Sequence, residues 1–343
     1  MGIHRTEVNK RYYENKFLGS MMGMAIGDAL GAPFEMQNGF PYVEDMHPLI
    51  SEKYKLNKPA GTWTDDTSMA LCLAESLLVH DGQNAKDQLI RYNAWLKDGY
   101  MVCGGGEAFG SGSSTREAVK KFMDTGQVVA DYNADKIGNG SVMRLAPLVL
   151  FYGLSANNEK EIAVQSFLSS LTTHSNPICG EACIAFGIIL YRILRDKYKY
   201  GYLPNRLPEY NGVSRMDIFR PTDFQFTTMV GELFSPHKQL YFKKPNEIQG
   251  TGHAFKSLEA ASWCFLTTTS YKDAVLKAVN LGDDADSTAA ICGAMAGMYY
   301  GYDSIPKEWV NKLQDRIIVD NTARRLLGHY FRNYSVDWQI FKK

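Results

Sequence analysis

The sequence predicts an all-α fold, and three observations carry that prediction. Apolar residues recur with a helical period along most of the 343 residues. Alternating strand patterns are scarce. Two rows of small residues repeat every four positions: Gly19, Gly23, Gly27 and Gly31, then Ala289, Gly293, Gly297 and Gly301. Residues four apart share one helix face. Each row therefore makes a flat ridge that another helix backbone can approach closely. Two central helices are expected around these rows, the first ending near Gly31.

Further amphipathic helices are expected at 67–80, 84–97, 115–124, 159–171, 178–195, 256–268, 271–280 and 306–316. The segment 197–250 is rich in Tyr, Pro, Phe and Lys and lacks a clear period. It reads as a less regular, lid-like insertion in a single all-helical catalytic domain spanning 1–343.

Lysine plus arginine equals aspartate plus glutamate, 37 each. Such balance gives no long-range pull toward nucleic acid or anionic membrane, so neither is expected as a partner. The longest apolar stretches are broken by charges such as Asp28, and no membrane span is expected. The N-terminal stretch lacks the apolar core of a secretory signal. The six cysteines form no CxxC pair and no zinc-finger spacing. They read as buried, reduced thiols in a cytoplasmic protein.

Acidic residues nevertheless recur in tight groups, and these need a local reason. Thr64-Asp65-Asp66-Thr67 opens one very apolar helix, and Asp283-Asp284-Ala285-Asp286-Ser287-Thr288 opens another. One Asp or Thr satisfies a helix cap. Adjacent carboxylates flanked by hydroxyls exceed that need, and their repulsion is removed by a hard cation with a taste for oxygen. Glu35 follows the first glycine helix, just beyond Pro33. From local sequence it is a metal ligand, a general acid/base or an exposed loop residue. The turns Gly138-Asn139-Gly140-Ser141-Val142-Met143-Arg144 and Gly110-Ser111-Gly112-Ser113-Ser114-Thr115 are rich in glycine and can offer backbone N–H groups to a phosphate. His174 stands in a turn between two helices.

In order, GSMMGMAIGDALGAPFE, GTWTDDTSMALCLAESL, GNGSVMRLAPL, THS and VNLGDDADSTAAICGAMAGMYYG resemble the signature blocks of the ADP-ribosylglycohydrolases, over about residues 15 to 325. The resemblance implies an orthogonal multi-helix bundle with a binuclear magnesium or manganese centre. It places the metal ligands on Thr64, Asp65, Asp66, Asp284, Asp286 and the hydroxyl of Ser287, with Thr288 one position further on. It gives Glu35, Asp65 and Asp66 catalytic roles. It sets Gly110, Ser111, Gly112, Ser113, Ser114, Thr115, Gly138, Asn139, Gly140, Ser141, Met143, Arg144 and His174 around ADP-ribose.

The expected activity is hydrolysis of the glycosidic bond between ADP-ribose and a protein or small-molecule acceptor. Two other readings fit the same residues: a metal-dependent nucleotide or phosphate-ester hydrolase, and a non-catalytic, crystallin-like or ADP-ribose-binding descendant. One departure bears on the acceptor. Arginine-directed members often carry Asp-Ile-Gly where this chain has Gly110-Ser111-Gly112. Full efficiency on an arginine linkage is therefore not expected, unless the alignment slips and Glu107 takes the acidic role.

Overall fold

A computed structural model describes residues 2–37, 39–51, 55–195, 215–222, 226, 228–235 and 239–333. It is all-α apart from one short antiparallel hairpin, Leu49–Ser51 with Leu56–Lys58. The helices are α1 (Gly2–Gly31), α2 (Asp65–His80), α3 (Ala85–Asp98), α4 (Ser113–Thr125), α5 (Ala146–Tyr152), α6 (Glu159–Leu171) and α7 (Pro177–Arg195). Three single-turn helices follow, α8 (Arg215–Ile218), α9 (Thr228–Gly231) and α10 (Gln239–Phe242). The chain closes with α11 (Ala254–Leu266), α12 (Tyr271–Val279), α13 (Ala285–Tyr300), α14 (Lys307–Lys312) and α15 (Arg316–Asn333).

The two glycine rows explain the centre of the molecule. Helices α1 and α13 run antiparallel with their ridges face to face. A Cβ at Gly19, Gly23 or Gly27 would overlap the backbone of Gly297, Gly293 or Ala289. The pairing sets the register at the ends as well. A side chain on Gly31 would overlap the backbone of Asp286, so the C-terminus of α1 meets the N-terminus of α13. Buried apolar side chains from Phe17 to Leu327 form one contiguous cluster around this pair. Helix α7 is long and apolar enough to cross a membrane by length and composition, and it is buried inside this cluster over most of its length.

Several expectations change. The helix expected at 306–316 ends at Lys312, and α15 starts afresh at Arg316. Asp315 between them adopts a left-handed φ of 47°, which an α-helix cannot continue through. The long α15 has no counterpart among the expected helices, and α5 is the helix that the Gly138–Arg144 turn opens. Helix α15 buries Val319, Thr322, Ala323, Leu326 and Leu327, which share one helix face. Residues 196–214, much of the insertion expected at 197–250, lie outside the described residues. Its return limb is anchored by Lys243, which pairs with the buried carboxylate of Glu259 on α11.

Candidate active site

Three helix ends meet at one cleft of about 440 Å³. The C-terminus of α1 supplies Asp28 and, just beyond it, Glu35. The N-termini of α2 and α13 supply Asp65 and Asp66, and Asp284 and Asp286. Residues 221 apart in sequence touch here: Ser287 Oγ donates to Asp66 Oδ2 at 3.4 Å. Carboxylate oxygens of Asp28, Asp66 and Asp286 lie within 4.8 Å of one another, and so do those of Glu35, Asp284 and Asp286. Asp283, in the same acidic run, faces solvent instead.

The local cap of α2 is not local. Thr64 occupies the cap position without a side-chain cap bond. Its place is taken by Asp28, fully buried on α1. Asp28 accepts from the backbone N–H of Thr64 at 2.9 Å and of Thr67 at 3.0 Å, and from their hydroxyls at 2.8 and 2.7 Å. A helix N-terminus favours a carboxylate, so this bond set pins the start of α2 to the end of α1. Burial raises the Asp28 carboxyl to about 6, against the downward pull of the Thr67 and Thr64 hydrogen bonds.

The other acids are held in a state that asks for a cation. Burial, followed by the charges of Glu35 and Asp28, pushes Asp65 well above the usual carboxylate range. Burial, then Asp28 and Asp65, does the same to Asp66. Burial, then Glu35 and Asp284, does so to Asp286. Asp66 Oδ1 is buried without a hydrogen-bond partner among the described residues. An orphaned carboxylate oxygen amid other hard oxygen donors fits a divalent cation. Of the two candidate hydroxyls, Ser287 faces Asp66, whereas Thr288 turns to Gly250 O.

The glycine-rich turns form the rest of the wall. Gly112, Ser113, Ser114 and Thr115 line the cleft at the N-terminus of α4. Gly112 caps that helix without a side-chain bond, which leaves first-turn N–H groups facing the cleft. Opposite lie Gly138, Asn139, Gly140 and Met143. Asn139 Nδ2 donates to Asp284 Oδ2 at 2.8 Å, tying the turn to the acidic cluster. His174 lies beneath Gly140 and bonds Thr173 Oγ1 through Nδ1 at 2.8 Å. Burial, then the charges of Arg144 and Lys136, lowers it to about 3, so the ring is neutral. A smaller cavity of about 230 Å³ adjoins the cleft through Ser114, Lys136 and His174.

The ADP-ribosylglycohydrolase family profile matches residues 9–335. The chain belongs to the ADP-ribosylglycohydrolase family. It is 33% identical over 317 residues to the ADP-ribosylarginine hydrolase Tri1 of Serratia proteamaculans (strain 568), covering 91% of this chain and 79% of that one. It is 26% identical to the ADP-ribosyl-[dinitrogen reductase] glycohydrolase of Rhodospirillum rubrum, covering 88% and 92%. A solved chain from an ADP-ribosylglycohydrolase-related protein complex superposes with a TM-score of 0.71 at 30% identity, covering 93% of this chain and 99% of that one. This ADP-ribosylglycohydrolase is therefore a glycosidic-bond hydrolase, and two of its acidic groups could each hold a metal ion.

Not every residue expected around the substrate reaches the cleft of this glycohydrolase. The Arg144 guanidinium is fully buried. It donates to Gly140 O, Ser169 O and Thr172 Oγ1 at 3.1, 3.3 and 3.0 Å, so it braces the turn from behind. A guanidinium with three carbonyl and hydroxyl acceptors within reach has no reason to leave them. Ser141 is likewise turned inward, onto Ser170 and Cys183. Ser111 accepts from Arg116 Nε at 2.6 Å and lies off the cleft wall. Gly110 does line the cleft; it has φ 88°, and an added Cβ would meet the Asp65 carboxylate, so a side chain here would be strained and would displace that carboxylate. Glu107 is exposed and does not line the cleft, which removes it from the acidic role a slipped alignment would give it.

Sequence reasoning missed two elements. Asp28 registered only as a charge interrupting an apolar helix. The segment 250–253 registered only as the end of the insertion, yet it clamps both halves of the site. Gly250 O accepts from Asp284 N at 2.8 Å, and Gly252 O accepts from Asn139 N at 2.9 Å. Gly138 and His253 form an isolated antiparallel bridge. The sequence signal was there in the two glycines flanking Thr251, which permit close backbone approach.

Proposed function

We propose that this chain uses two divalent cations, magnesium or manganese, to release ADP-ribose from an ADP-ribosylated acceptor by hydrolysis of the glycosidic bond. The observation that carries the reading is the convergence of Asp65, Asp66, Asp284 and Asp286 with Glu35 in one cleft beside two N–H-rich turns. Thr64, Asp65, Asp66, Asp284, Asp286 and Ser287 would hold the cations. Bound there, such cations neutralise the carboxylates and supply Lewis acidity toward sugar hydroxyls and water.

The chain's own residues account for the rest. Glycoside cleavage passes through an oxocarbenium-like state, and the carboxylates at the cleft floor stabilise its positive charge. Glu35, within reach of Asp284 and Asp286 and open to the cleft, exchanges a proton with the leaving group or with water. The first turn of α4 and the glycine N–H groups at Gly138 and Gly140 receive the diphosphate. Arg144 holds that turn in shape.

For the acceptor we propose an arginine linkage, on the likeness to the Serratia protein named an ADP-ribosylarginine hydrolase. A second reading, a linkage other than arginine, rests on Gly110, which stands where arginine-directed members often carry an aspartate. The test is a panel of ADP-ribosyl-arginine, ADP-ribosyl-serine and ADP-ribose phosphate esters, assayed with Mg²⁺ or Mn²⁺ and with chelator. Release of ADP-ribose that requires metal is expected, fastest from arginine. Release of AMP or inorganic phosphate instead would overturn the reaction class. A preference for the serine linkage would overturn only the acceptor.

A further inference from the structure

His253 is a cleft residue with one ring nitrogen already committed. Its Nδ1 caps α11 by accepting from the backbone N–H of Phe255 at 3.1 Å. A nitrogen that accepts from an amide N–H carries no proton. In the neutral ring the proton therefore sits on Nε2, and the tautomer is set by the backbone. No hydrogen bond to Nε2 occurs among the described residues, and the ring lines the cleft. Its position is fixed from both sides. The Gly138–His253 bridge seats it against the glycine-rich turn, with Asn139 N donating to Gly252 O and Ala254 N to Ile137 O. Gly252, its neighbour, stands against the Asp284 carboxylate.

We propose that His253 is a substrate-binding residue whose Nε2–H donates a hydrogen bond to a diphosphate oxygen of the bound nucleoside diphosphate. This rests on the reading of the cleft as an ADP-ribose site. Partial burial, with the nearby Lys256 charge as a lesser cause, lowers the ring's affinity for a second proton, so it acts as an uncharged donor. An uncharged donor suits this place. It adds a directed bond to the diphosphate without bringing a third positive centre beside the proposed cations.

The geometry also supplies a clean test. In H253N the shorter amide can keep the Nδ1-like acceptor that caps α11 and lacks a donor at the Nε2 position. In H253Q the amide nitrogen reaches the Nε2 position. Binding of ADP-ribose and of ADP, each with Mg²⁺, is measured by calorimetry for both variants, with thermal melting as the folding control. We expect H253N to raise both dissociation constants by about tenfold, the loss of one hydrogen bond to a charged acceptor. H253Q should stay near the parent protein. In turnover, KM should rise with kcat little changed. Parent-like binding of both ligands by a folded H253N overturns the proposal. So does weaker binding of ADP-ribose with unchanged binding of ADP, which would move the contact to the distal ribose. Failure of the parent protein to bind ADP-ribose at all would instead overturn the underlying reading of the cleft.

Discussion

At the scale of single residues, Glu35 and His174 separate chemistry from architecture. Glu35 sits just past the end of a buried helix and opens into the cleft, within ligand reach of Asp284 and Asp286. Glu35→Gln keeps the shape and removes the exchangeable proton. Turnover should fall by a factor on the order of a hundred or more, the usual worth of a general acid/base, with ADP-ribose binding nearly retained. Single-turnover kinetics beside calorimetry would check this, and unchanged turnover would reduce Glu35 to a structural part. His174 is buried neutral under the Gly140 turn, its pKa lowered from 6.5 to about 3 by burial. A histidine depressed in the folded state binds its proton only on unfolding. It therefore costs stability as pH falls below 6.5, with the cost growing until about 3. The slope it contributes is about 1.4 kcal/mol per pH unit. In His174→Gln this component should vanish. Denaturant titrations of both proteins at pH 7 and pH 5 would show the parent losing more stability than the variant. Equal losses would mean that the ring is protonated in the fold.

At the scale of elements, the α1–α13 pair is the part on which the site depends. Its glycines face backbone, not side chains, so nothing flexible can yield to an added methyl group. Gly293→Ala should cost about 1–3 kcal/mol of stability or more through overpacking. It should also weaken metal binding, because any opening of the helix pair moves Asp286 relative to Asp28 and Glu35. Gly250, by contrast, stands where an added methyl group would meet the side-chain hydroxyl of Thr288 and a carbonyl at 3.2 and 3.3 Å. Comparing the two variants by chemical denaturation and by metal titration tests whether the helix pair sets the geometry. A Gly293→Ala protein with parent-like stability and metal affinity would show that the ridges tolerate separation.

At the scale of the whole molecule, three helix ends direct like charges into one cleft, and the fold carries that repulsion when no cation is present. Mg²⁺ or Mn²⁺ should raise the melting temperature of the parent protein in a concentration-dependent way, since the ion binds the folded state alone. Chelator should reverse the shift. Asp66→Ala should abolish the shift and lower activity by orders of magnitude. In chelator its melting temperature should equal or exceed that of the parent, because one buried charge among Asp28, Asp65 and Asp284 is gone. A variant that still gains stability from metal would place the ion away from Asp66.

Much of this was legible in the residues. The four-residue glycine period marks the two central helices because close backbone approach needs the absence of Cβ over a whole face, and that need is written in one dimension. The paired acids at the starts of α2 and α13 are legible for a similar reason: adjacent carboxylates are unfavourable without a partner. Arg144 and Ser141 look like substrate contacts in the sequence because sequence reports residue type and not direction, yet both turn into the core. Asp28 looks like an interruption of an apolar helix because its partners, Thr64 and Thr67, lie 36 and 39 positions away. His253 carries no local signal, since its tautomer follows from a cap and its place from a bridge to Gly138. The sequence alone determined the helical class, the central pair and the residue types of the acidic cluster, because each is a local or periodic property. Only the tertiary structure decided which carboxylates converge, which hydroxyl of Ser287 and Thr288 faces them, and which side chains reach the cleft, because these depend on contacts between segments that share no neighbourhood in the chain.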